Sequence, residues 1–259
     1  LIKMKLLKTI ILFIIVSTLS ASAQGHVVKE KLKNIAVQFG KLSESERKEY
    51  VKLKDKAFKA REAQKYLTCL VAINDAQAIF EKDMDLLFLN GICRAQLHDV
   101  DKAIVCYEKV LAIDPTHIFT LMNIIEINYF SGRYEDTLKY IDLVNGLINS
   151  RASGQQLPLL DFKHLIALTK LSKNDPAKYQ PMIDKVKAKY TFMDDHPFYY
   201  FANALQSFDS GDKQEGLIWI LKAYLIFETP TMIEVWNKAL IDTDYIGAYE
   251  IMFNRQEEK

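Results

Sequence analysis

The side chains that could do chemistry are few and dispersed. Five histidines, His26, His98, His117, His164 and His196, fall at no spacing that would set two metal ligands on one helical face, as an H-E-x-x-H pair does. Three cysteines, Cys69, Cys93 and Cys106, match no zinc pattern and occupy apolar positions of helical stretches, where a thiol is an ordinary small hydrophobe. An odd number in an exported chain leaves at least one thiol free or paired between chains, and a Cys93–Cys106 bridge is open to the chain in an oxidising compartment. The densest group of ligand types, Asp194-Asp195-His196-Pro197, falls where a helix should start, so its expected role is capping, acidic residues being favoured at the positive end of the helix dipole. No nucleophile elbow, phosphate-binding glycine loop or dinucleotide fingerprint is present. The expectation is therefore no catalytic residue, no metal and no cofactor, with a helical enzyme assembled from residues distant in sequence as the alternative.

The elements that would position any site are helices. The chain has 259 residues, 49% of them hydrophobic, and only nine Gly and six Pro, which suits short connections between helices better than the many turns of a sheet protein. Lys3, Lys5 and Lys8, the apolar run Ile10 to Leu19 and the small residues Ala21-Ser22-Ala23 have the three parts of a secretory signal peptide, so residues 1–23 are expected to be cleaved and Gln24 to be the mature N-terminus. The apolar run is shorter than the roughly 20 residues that span a bilayer, no cysteine follows the cleavage site to carry a lipid, and no stable membrane insertion is expected afterwards. Loss of the three lysines leaves 31 basic residues against 33 acidic, near −2, which argues against a nucleic-acid partner.

From Val28 the apolar residues Val28, Leu32, Ile35, Phe39 and Leu42 recur at helical steps, giving an amphipathic capping helix over 24–43, with a membrane-surface helix as the alternative. Ser43 and Glu46 form an S-x-x-E capping box, so a new helix starts near Glu44. From there the signal is a period. Leu53, Leu87 and Leu121 are 34 apart, as are Cys69, Ala103 and Thr137, then Ile73, Tyr107 and Ile141, then Ala76, Val110 and Val144. Within residues 84–117, Gly91, Ala103, Tyr107 and Pro115 have the types and order of a tetratricopeptide repeat, which the stretch resembles. Leu87, Asn90 and Arg94 depart from the family's usual tryptophan, leucine and tyrosine, and Ile125 stands where the next unit should have a small residue.

The resemblance implies an all-α, right-handed superhelical solenoid of tetratricopeptide-like helix-turn-helix repeats with helical caps, because each helix pair cannot bury its apolar faces alone. About five units are expected over 44–230, with an insertion at 146–158, followed by C-terminal capping helices and a polar tail over 231–259. Inside that span helices are read at Lys65 to Phe80, Leu159 to Leu171, Pro176 to Tyr190, from Pro197, from Thr229-Pro230 through Trp236 to Ile241, and at Tyr245 to Phe253. The Gly146 to Pro158 stretch reads as an extended helix end and a surface loop, with a binding loop as its functional alternative.

In the family the first helix of each unit lines a concave face that binds peptides or helices. Carried over, the resemblance names Phe88, Ile92, Phe119, Met122, Glu126, Tyr129, His164, Leu168, Phe198, Phe201 and Leu205 as candidate partner-binding residues. The same residues on a helical stripe would otherwise be core. The expected function is a non-catalytic protein-interaction scaffold of a Gram-negative cell envelope or periplasm, or outside the cell, holding a protein or peptide in its groove, which the chain's own N-terminal helix could also fill. An envelope glycan-binding or nutrient-uptake component is the alternative.

Overall fold

The computed structural model describes residues 23–149, 157–227 and 229–247, and over these residues it is helical throughout with no strand. Nearly all of the proposed leader, the middle of the 146–158 insertion and the end of the chain from residue 248 lie outside the described residues. Two compact units divide at Leu42 and Ser43. The first contains one described helix, α1 (Ala23–Gly40).

The second unit holds eleven described helices: α2 (Glu44–Glu62), α3 (Tyr66–Ile79), α4 (Met84–Gln96), α5 (Val100–Ile113), α6 (Ile118–Phe130), α7 (Tyr134–Asn149), α8 (Pro158–Ser172), α9 (Pro176–Lys187), α10 (Phe198–Asp209), α11 (Lys213–Ile226) and α12 (Pro230–Ile241). They pack as antiparallel pairs, α2 with α3 through α10 with α11, and the first helices touch in sequence, α2 with α4, α4 with α6 and α8 with α10. The protein is an all-α helical repeat. Its start is fixed by the capping box, in which the Ser43 hydroxyl accepts from Glu46 N–H at 3.3 Å and Ser43 N–H donates to the Glu46 carboxylate at 2.7 Å.

The 34-residue columns form the core between paired helices. Cys69, Ala103 and Thr137, Ile73, Tyr107 and Ile141, and Ala76, Val110 and Val144 are all fully buried. The close approach at Gly91 is demanded by its partner, since a Cβ there would lie 2.4 Å from Cε1 of Tyr107. The same lock recurs with the roles exchanged in the last pair, where the glycine, Gly216, is on the second helix and the ring, Phe208, is on the first, again at 2.4 Å from an added Cβ.

The turns inside the pairs repeat as well. Gln64, His98, Gly132 and Gly211 have positive φ, and the next N–H reaches back to the first helix, from Lys65 to Ala60 O, Asp99 to Arg94 O, Arg133 to Asn128 O and Asp212 to Ser207 O, at 2.8 to 2.9 Å. This is the Schellman closure of a helix end. The turn after α8 is built differently, because Asp175 caps α9 by accepting from Lys178 N–H at 3.1 Å and Pro176 occupies its first turn. After α12 the Schellman closure returns, with Asp244 at φ 59° and Tyr245 N–H on Leu240 O at 3.0 Å. So α12 ends as the first helix of a repeat does.

Three local expectations change. Helix α9 stops at Lys187 rather than Tyr190, and Tyr245 to Gly247 are irregular rather than helical, because the Schellman closure at Asp244 has just reversed the chain. Asp194 does not cap α10: it accepts from Thr191 N–H at 2.6 Å and closes the preceding loop, and of that cluster it is His196 that serves the helix start, its Nδ1 accepting from Phe198 N–H at 3.4 Å.

Candidate functional site

The first helices present one face on which positions 34 apart fall in columns: Asp85 and Phe119; Lys54, Phe88 and Met122; Phe58, Ile92 and Glu126; Arg61, Ala95 and Tyr129. Along these columns the face changes character. At its N-terminal end a cleft of about 200 Å³ lies between α2 and α4, lined by Phe58 and Arg61 from the former and Asp85, Phe88, Leu89 and Ile92 from the latter. The Phe88 ring meets His117 edge-on at 5.3 Å, and His117 meets Phe119 at 6.1 Å, so an aromatic path leads from the cleft onto α6. Phe119 is 55% exposed.

Polar contacts hold this end in place. Asp83 caps α4 by accepting from Asp85 N–H at 2.8 Å, and it also receives the hydroxyl of Tyr50 and the ammonium of Lys54 from α2, the latter at 2.7 Å. Burial alone would raise the Asp83 carboxyl; the hydrogen bonds from Lys54 and Tyr50 and the lysine charge outweigh it and hold the group below the ordinary carboxylate value. His117 caps α6 by accepting at Nδ1 from Thr120 N–H, and burial lowers its imidazole. The departures at Asn90 and Arg94 form a network, with Arg94 donating to Asn90 at 2.8 Å and to Asp99 at 3.0 Å.

The C-terminal end of the same face is covered. Helix α12 places Trp236 4% exposed among Phe162, Phe201 and Phe198, at ring distances of 5.2, 5.7 and 6.3 Å, with His196 parallel to it at 6.4 Å. Ile233, Ala239 and Leu240 join the same core. The Tyr129 hydroxyl donates to Ala239 O at 2.7 Å. Lys238 pairs with Asp242 and lies over the Phe130 ring, and Lys163 pairs with Glu126 beside Tyr129, so the four charges near the α12 contact are matched. Burial raises the Asp242 carboxyl against the pull of Lys238.

The expected binding residues therefore separate into two groups. Phe88, Ile92 and Met122 are half-buried and Phe119 is exposed; these lie on the open end. Glu126, Tyr129, His164, Leu168, Phe198, Phe201 and Leu205 are buried, and the outward placement expected of them is corrected. Tyr129, Leu168, Phe198, Phe201 and Leu205 belong to the core that Ile233, Trp236, Ala239 and Leu240 of α12 join, and Glu126 is spent on Lys163. The face is closed by α12 from the C-terminal side. Phe58, Arg61, Asp85 and Leu89 were missed; Phe58 stands 34 residues before Ile92, so the period marks its column.

Elsewhere the titratable groups are paired or isolated. Asp161 receives the Tyr190 hydroxyl at 2.6 Å and the Lys189 ammonium at 3.0 Å. Both ring nitrogens of His164 lack a hydrogen-bond partner, and burial lowers its imidazole. No group of three or more metal-ligand side chains converges among the described residues, and no described helix is long and apolar enough to cross a membrane. Cys69, Cys93 and Cys106 are all buried free thiols, and burial raises each of them.

No family model and no curated protein matches the chain. A solved chain titled MamA MSR-1 C2 is similar to it at 18% identity, over 69% of this chain and 97% of that one, with a TM-score of 0.46.

Proposed function

We propose that the chain is a non-catalytic interaction scaffold that holds an apolar face of a partner protein, presented as a helix, on the open end of its first-helix surface. The observation that carries this reading is the division of that surface. One end is filled by an amphipathic helix, α12, whose Ile233, Trp236 and Leu240 are buried in it. The other end retains the cleft of Phe58, Arg61, Phe88, Leu89 and Ile92 with Phe119 beyond it. A preformed, helix-built groove keeps the ordering cost of such binding low. The leader-like residues 1–23 support export, and the scaffold is placed by this reading in the envelope or periplasm of a Gram-negative bacterium.

The test is capture from envelope extracts with the chain beginning at Gln24, comparing wild type with Phe58→Glu plus Ile92→Glu. Both side chains face the cleft, and the double variant should keep its helical circular dichroism and melting midpoint. Loss of a specific partner from that variant is expected. Equal capture by the two proteins overturns the groove assignment, and N-terminal sequencing of the exported chain should begin at Gln24.

A further inference from the structure

The cleft between α2 and α4 is lined by four apolar side chains and two charged ones, Asp85 and Arg61. In the repeat columns Arg61 is level with Ala95, so the two charges stand ten residues of α4 apart, about 15 Å along the helix axis. Their situations differ. The Asp85 carboxylate already holds the Lys54 ammonium at 2.9 Å, and Lys54 also holds Asp83 at 2.7 Å. The Arg61 guanidinium, half-buried in the last turn of α2, has no hydrogen bond or ion pair among the described residues. By contrast Arg94 reaches Asp99 at 3.0 Å and Arg133 reaches Asp101 at 2.8 Å. A guanidinium drawn partly out of water beside apolar side chains, with no partner from its own chain, is best satisfied by a ligand carboxylate.

We propose that the partner helix held in this cleft carries an aspartate or glutamate one to two turns from its apolar anchors, and that Arg61 binds that carboxylate. The inference rests on the cleft being the binding surface. The spacing comes from the cleft itself: Ile92 and Phe88 lie three and seven residues before Ala95, which is about one and two helical turns from the level of Arg61. The planar fork of donors on arginine matches a carboxylate with two parallel hydrogen bonds, which fixes orientation as well as charge. Selectivity follows from the same arrangement. A neutral amphipathic helix leaves Arg61 unsatisfied, and one with a lysine at that place meets a like charge, whereas Asp85 is already matched by Lys54 and attracts neither. Because Arg61 is only half-buried, the charged part of the binding weakens as salt rises, while the apolar part does not.

The probe is a displayed library of alanine-based helices, fused at both ends so that no free terminus is offered, and randomised at i, i+3, i+4, i+7 and i+8. It is selected on the chain beginning at Gln24 as wild type, as Arg61→Gln and as Arg61→Glu, and only binders lost on Phe58→Glu plus Ile92→Glu are counted. Wild type is expected to select large apolar residues together with an aspartate or glutamate. Arg61→Glu should select lysine or arginine in its place, and Arg61→Gln should show no charge preference. Changing the selected acid to its amide should weaken binding to wild type by about tenfold at low salt and leave binding to Arg61→Gln unchanged. Both Arg61 variants should melt with wild type, since the side chain has no partner to lose; Arg61→Gln alone carries the test where the charge reversal disturbs folding. Apolar helices selected alike by wild type and Arg61→Gln, yet lost on the double variant, overturn the role of Arg61 and leave the groove standing. Absence of any binder sensitive to the double variant overturns both.

Discussion

Replacing Trp236 by alanine tests whether α12 is an integral part of the repeat face. The indole is 4% exposed and surrounded by Phe162, Phe198, Phe201 and His196. A buried tryptophan removes about 200 Å² from water, which at about 25 cal/mol per Å² is roughly 5 kcal/mol. Alanine recovers part of that, and the residual cavity adds a cost, so the expected loss is about 4 kcal/mol, inside the range measured for large aromatic truncations. For a unit of this size that corresponds to a fall of roughly 8–16 °C in melting midpoint. Trp236→Phe keeps a ring in the slot and should lose much less. The assay is urea unfolding of the chain beginning at Gln24, followed by far-ultraviolet circular dichroism and by the fluorescence of Trp219, the remaining tryptophan. Trp219 is on α11, against Tyr199 and Tyr200, so it reports the last pair while circular dichroism reports all helices. Coincident, weakened transitions are expected. A loss below about 1 kcal/mol would refute the reasoning, since a helix that merely lies on the surface could not account for so deeply buried a side chain.

Two further substitutions probe the interior. Gly91→Ala should destabilise by about 1–3 kcal/mol despite alanine's better helix propensity, because the added Cβ falls 2.4 Å from Tyr107; adding Tyr107→Leu should recover most of the loss, and a neutral single variant would contradict the lock. His164→Leu should flatten the acid limb of stability: burial holds the folded imidazole below its ordinary 6.5 while Asp161 and Asp142 pull the other way, so the unfolded chain takes the proton more readily and the wild type loses stability as pH falls from 6.5. Melting midpoints of the two proteins between about pH 5 and pH 8 should therefore diverge on the acid side, and parallel profiles would remove His164 as the cause.

Much of the repeat was legible because packing between paired helices is local and recurs. The columns Ile73, Tyr107, Ile141 and Ala76, Val110, Val144 face a partner helix a few residues away in sequence, so each unit needs the same side-chain sizes. The turns were legible only where glycine marks them. Gln64 and His98 adopt the same positive φ as Gly132, which lies 68 and 34 residues after them respectively, without announcing it in their type. The period identifies them once one member is known. The cysteines are the small buried residues that their apolar helical positions suggested.

The functional face could not be divided from sequence in the same way. A first-helix aromatic such as Phe88 and one such as Phe201 occupy comparable positions in their units, and nothing in their neighbours distinguishes groove from core. The distinction is made by α12, a helix outside the five pairs, whose Ala239 meets Tyr129 110 residues away. Helix α12 closes its own end with the Schellman turn of a first helix and reaches back as far as α6. Where it ends, the exposed surface begins. A variant that opens Phe88 and Ile92 to charge should therefore change binding, whereas one that alters Phe198 or Phe201 should change stability first, and that ordering follows from which side chains α12 covers.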